Sequence, residues 1–124
     1  MINQSFVIID ENTVILPPEN ISTPVGYALD MIVRDHKKVV GKPPKLVSSL
    51  DEGPDLIIRY ASKEDDCPDW QEGYCFRFNL QNGKPVMHII GNDDLGIIYG
   101  LLHYSKDYLG IDPFWFWAEL PIQQ

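Results

Sequence analysis

Cysteine is scarce in this sequence, with two in 124 residues, Cys67 and Cys75. Two cysteines leave a single disulfide or a pair of free thiols open, and they exclude a disulfide-dense scaffold. Together with His88 and His103 they lack the close-paired spacing of a zinc finger, so no metal site and no cofactor is expected. No apolar run approaches the roughly 20 residues needed to span a bilayer. The first residues show no basic stretch leading into an apolar one. Basic residues are few as well, 10 Lys+Arg against 18 Asp+Glu, giving a net charge of −8. A phosphate backbone is bound by a basic face, so nucleic acid is excluded as a partner, and no membrane partner is expected. The chain is also too short for a (β/α)₈ barrel, which takes about 250 residues.

What is present is one domain's worth of chain with an ordinary globular composition. The charge is uneven. Residues 1–50 carry five acidic and five basic side chains, so the whole acidic excess lies in residues 51–124. Glu64, Asp65, Asp66, Asp69 and Glu72 hold much of it. No Asp-x-Asp-x-Asp-Gly loop accompanies them, and a solvated acidic loop is the simpler reading than a cation site.

Segments Ser5–Asp10 and Thr13–Leu16 flank a turn signal at Asp10-Glu11-Asn12 and predict an opening hairpin. Ser22-Thr23-Pro24 reads as a helix start, with a hydroxyl cap and an early proline. Val25, Leu29, Ile32, Val33 and His36 then recur at helical spacing, and Gly41 with Pro43-Pro44 ends the element. Lys45–Leu50 and Asp55–Tyr60 are short apolar runs, the second with a buried look. Tyr74–Leu80 alternates with period two and meets Pro85–Ile90 across Asn82-Gly83, which predicts an antiparallel hairpin. A second helix starts after Gly91 with Asn92 or Asp93 as cap, and Gly110 ends it. Gly96 and Gly100 each cost such a helix about 1 kcal/mol relative to alanine, which argues for close approach to the sheet beneath. His36 and His103 are placed at a core edge, and His88 on the strand face opposite Met87.

The chain closes on four consecutive aromatics, Phe114, Trp115, Phe116 and Trp117, flanked by Asp112 and Glu119. Extended backbone would put two large rings on each face, and both faces are hard to bury at a terminus. Either a neighbouring domain covers the second face or it forms a wall on which sugars stack.

The stretch Gly91–Pro121 resembles the N-terminal domain of glycoside hydrolase family 115, the xylan α-1,2-glucuronidases. The family pattern there is close to Gly-x-Asp-x-Arg-Gly-x-x-Tyr-Gly, a helix, and an aromatic strip ending Trp-Trp-Ala-Asp-Val-Pro. Gly91, Asp93, Gly96, Tyr99, Gly100, Gly110, Pro113, Trp117, Ala118 and Pro121 fall in step with it, over about a quarter of the chain. Leu95 replaces the family's arginine and Glu119 its aspartate. A looser version of the motif occurs in the accessory domains preceding the barrels of β-N-acetylhexosaminidases and family 67 α-glucuronidases.

The resemblance implies an α+β fold, a mixed sheet with two helices packed on one face, like domain 2 of β-N-acetylhexosaminidases. It implies that residues 1–124 form one accessory domain from the N-terminal part of a larger periplasmic or extracellular enzyme. The catalytic carboxylates would lie on that enzyme's barrel, which becomes this domain's partner. Trp115, Trp117 and Glu119 are the substrate-contact candidates, and carbohydrate is a second candidate partner. Gly91, Asp93, Gly96, Tyr99, Gly100 and Pro113 form the structural motif, and no catalytic residue is assigned.

Three functions compete at this point. The first is a non-catalytic domain buttressing a glycosidase barrel. The second is an autonomous carbohydrate-binding module that uses the terminal aromatics. The third is a small enzyme built on Asp65 and Asp69, or on a Cys75–His88 nucleophile pair.

Overall fold

The computed structural model describes residues 9–62, 73–81 and 83–109. Along the chain they form strand β1 (Val14–Leu16), helix α1 (Thr23–Val40), strand β2 (Lys45–Leu46), strand β3 (Leu56–Tyr60), strand β4 (Tyr74–Gln81), strand β5 (Lys84–Gly91) and helix α2 (Asp94–Tyr104). A short 3₁₀ turn, Leu50–Glu52, precedes β3, and a π-helical turn, Ser105–Leu109, continues α2. The strands make one mixed sheet in the order β2-β1-β3-β5-β4, parallel throughout except for the antiparallel β4–β5 pair. The fold is α+β with both helices over one face, as the sequence led us to expect.

Local chemistry explains the element ends. Ser22 caps α1 by accepting a hydrogen bond from the Val25 amide, and Pro24 sits in the first turn, where its missing N–H costs nothing. Gly41 closes the helix at φ 94°, a left-handed conformation that glycine adopts without penalty. Lys37 and Lys38 occupy the last turn, where the helix dipole favours cations.

The opening hairpin is only partly within the described residues. A turn at Asp10–Thr13 is present, closed by the Thr13 amide donating to the Asp10 carbonyl at 3.2 Å. After it β1 pairs in parallel with β2 on one side and β3 on the other. The run Lys45–Leu50 contributes only two residues to the sheet before turning away. Asp55 ties these pieces together. One carboxylate oxygen accepts from the Val14 amide at 2.8 Å, and the other meets Lys84 Nζ at 3.0 Å.

Strand alternation divides the sheet into two faces. Ile15, Leu56, Ile58, Met87 and Ile89 point toward the helices and pack with Val25, Ala28, Leu29 and Ile32 of α1 and Ile97, Ile98, Leu101 and Tyr104 of α2. Leu16, Ile57, Arg59, His88 and Ile90 point the other way. Ile57 and Ile90 are buried there too, so the central strands are apolar on both sides.

Candidate functional site

The start of α2 is built on close packing. Asp93 is its N-cap and accepts from the Gly96 amide at 2.8 Å, which settles the choice between Asn92 and Asp93. A side-chain carbon at Gly96 would collide with the carbonyl oxygen of Gly73, and one at Gly91 would collide with the Ile97 amide. At Gly100 it would lie 2.9 Å from Ile89 Cγ2. All three glycines therefore let the helix settle against β4, β5 and the residue leading into β4. Tyr60, at the end of β3, donates its hydroxyl to Asp94 at 2.5 Å. Burial first, and then this bond to a carboxylate, push its pKa up to about 12. Tyr99 is half-buried on the same helix. Leu95, where the resemblance would place arginine, is 39% exposed.

Two histidines sit on the helix side in different states. His36 is buried outright rather than at an edge. Its Nε2 meets the Tyr104 hydroxyl at 2.8 Å, and its Nδ1 has no partner among the described residues. Desolvation lowers its pKa from 6.5 to about 4, so it is neutral at pH 7, and desolvation also raises that of Tyr104. Beside them the Ser105 hydroxyl donates to buried Asp35 at 2.9 Å. His103 is the more exposed ring. Its Nε2 faces Asp107 at 2.6 Å and its Nδ1 meets the Tyr74 hydroxyl at 3.1 Å, while the ring packs on Phe76. The proton on Nε2 is directed at the Asp107 carboxylate, and Nδ1 shares a hydrogen bond with the Tyr74 hydroxyl.

The opposite face carries the candidate binding site. Sheet register sets Leu16 beside Ile57 and Ile57 beside His88, a transverse row across β1, β3 and β5. That row and Arg59 floor a cavity of about 520 Å³. Pro17, Pro18 and Glu19, which follow β1, and Val47, Ser48 and Leu50, which follow β2, wall it, and Ile58 and Gln81 complete the lining. Arg59 Nε donates to His88 Nδ1 at 3.3 Å, and His88 Nε2 lies 3.3 Å from Asn79 Oδ1. The donor on one side and the acceptor on the other hold His88 as the Nε2-protonated tautomer. His88 lies opposite Met87, as the alternation predicts, but no sequence spacing announces the rest. Pro17-Pro18 reads only as a strand stop, and Arg59 reads only as one residue of a buried strand.

Trp115, Trp117, Glu119, Pro113 and Asp112 lie outside the described residues, as do Asp65 and Asp69. Cys75 shares the far face with His88 but is disulfide-bonded, so it offers no thiolate and the proposed Cys75–His88 nucleophile pair fails. Among the described residues no group of three or more His, Cys, Asp or Glu could hold a metal ion.

Comparison with solved structures adds one fact about the whole. Residues spanning 90% of this chain superpose on 15% of a family GH115 4-O-methyl-α-glucuronidase with specificity for decorated arabinogalactans, at a TM-score of 0.64 and 21% identity. The fold is that of a segment of this enzyme. At that identity the likeness establishes the architecture and not the activity. No protein-family model and no curated protein matches the sequence.

Proposed function

We propose that the chain is a non-catalytic domain of a larger glycoside hydrolase, buttressing its catalytic barrel. The observation that carries this reading is the asymmetry of the structural match. Nearly all of this chain corresponds to a small fraction of a GH115 enzyme. The Gly91–Gly100 motif supports it independently, because the glycines that resemble the family's are those that the packing of α2 requires. The parent enzyme would release a glucuronic acid from plant xylan or a related polysaccharide. The neighbour's preference for decorated arabinogalactans makes that the second polymer to try. A periplasmic or extracellular setting is part of the proposal, and the disulfide at Cys75 suits an oxidising compartment.

The test is to sequence the gene on both sides of this segment and assay the encoded protein on glucuronoxylan and arabinogalactan. Uronic acid release by the encoded protein, and none by residues 1–124 alone, is the expected result. Release by residues 1–124 alone overturns the non-catalytic assignment. A saturable tryptophan-fluorescence shift with xylo-oligosaccharide on residues 1–124 favours a binding module over a buttress.

A further inference from the structure

Helix α2 covers only the first half of β4. Tyr74, Phe76, Phe78 and Leu80 alternate onto the helix side of that strand, where Phe78 lies opposite buried Met87. Gly100 lies over Tyr74, and the His103 and Tyr108 rings pack on Phe76 at centroid distances of 4.9 and 6.2 Å. The π-helical turn ends at Leu109, and beyond that cover exposure climbs along the strand. Tyr74 and Phe76 are half-buried, Phe78 is 39% exposed and Leu80 67% exposed. Phe76, Phe78 and Leu80 thus make an apolar strip about 14 Å long, at about 3.4 Å per residue. Arg77, the one charged residue of β4, alternates to the other side.

A continuous apolar strip at a sheet edge marks an interaction surface, where scattered single residues would not. Charge and chain connectivity select the occupant. Each copy of the chain carries a net charge of −8, and the strip holds no cation to offset repulsion between two copies. Asp107, which adjoins the strip through His103, adds to that repulsion. A domain of the same chain is held beside the strip at high effective concentration, which outweighs such repulsion. The described residues reach Leu109 directly after Tyr108, so the rest of the chain starts from the inner end of the strip. Most of the GH115 chain likewise lies outside the 15% that this fold matches. We propose that the strip of Phe76, Phe78 and Leu80 is the surface that the catalytic barrel of the parent enzyme covers, a reading that rests on the domain assignment above.

Thiol labelling of Leu80→Cys with iodoacetamide, located by peptide mass mapping, reads the cover directly. The variant is compared in residues 1–124 and in the whole protein that the gene encodes. Labelling is expected to be fast in residues 1–124. It should be at least about tenfold slower in the whole protein, since a buried thiol reacts only through local opening. Asn79→Cys, exposed on the opposite side of the same strand, should label alike in both proteins. Far-UV circular dichroism checks that each variant is folded. Equal Leu80→Cys rates in the two proteins overturn the proposal, and so does slowing at both positions. Slow labelling in monomeric residues 1–124 means that the chain covers its own strip, which also overturns it. Labelling that slows with concentration, together with a dimer in light scattering, assigns the strip to a second copy and overturns it as well. A gene that encodes no barrel overturns the domain assignment and this proposal together, whereas equal labelling in a protein that has one overturns this proposal alone.

Discussion

Gly96 and Gly100 lie one helical turn apart and read alike in the sequence, yet they meet different neighbours. Gly96 faces a backbone carbonyl, that of Gly73, which also accepts the Asn92 amide at 2.9 Å and so is held from a second direction. Gly100 faces the methyl of Ile89, which can shift by a side-chain adjustment. Gly96→Ala is therefore expected to destabilise the protein by about 3 kcal/mol through overpacking against fixed backbone. Gly100→Ala should stay within about 1 kcal/mol of wild type, because the gain in helix propensity offsets a softer clash. Urea unfolding midpoints of the two variants check the difference. Equal losses would mean that the carbonyl is free to move.

At the scale of elements, α1 and α2 join through the buried pair His36 and Tyr104. The folded state holds His36 neutral with a pKa of about 4, against 6.5 when exposed. Between those values the unfolded chain takes up a proton that the folded chain refuses, so stability falls as the pH drops from 6.5 toward 4. The size of this loss is about 3 kcal/mol, set by the width of the interval. In His36→Gln that share of the pH dependence should disappear. Denaturant unfolding of both proteins at pH 7 and pH 4 measures it, and parallel losses would count against a neutral buried His36. The pair also marks where sequence reading ends. Helix α1 was legible to its first residue, because Ser22, Thr23 and Pro24 act locally on the backbone that they cap. The β4–β5 hairpin was legible for the same reason, with Gly83 at φ 80° in its turn. The parallel pairing of β1 with β2 and β3 was not, since it joins residues about thirty or more positions apart with no turn to announce them. His36 looked like an edge residue because its helical position is visible locally, whereas its cover, Tyr104, comes from 68 residues further on. The cavity on the far face was invisible for the same reason. Its floor is a row taken from three strands, and its walls are two loops that share no motif.

At the scale of the whole molecule, the connection from β3 to β4 carries the acidic run Glu64–Glu72. Cys75, the second residue of β4, is disulfide-bonded, and the one other cysteine of the sequence is Cys67, within that connection. Seven residues lie between them, and a loop of that size restricts the unfolded chain by about 2–3 kcal/mol in the loop-entropy account. Edge strand β4 gains most, since among the described residues β5 is its one neighbour in the sheet. Reduction is expected to lower the melting temperature by about 10 °C. The Cys67→Ser/Cys75→Ser double variant should melt with the reduced protein and be unchanged by reductant. Equal melting of the oxidised and reduced wild-type chains would show that β4 holds its place without the bond, and it would remove the physical reason for an oxidising compartment.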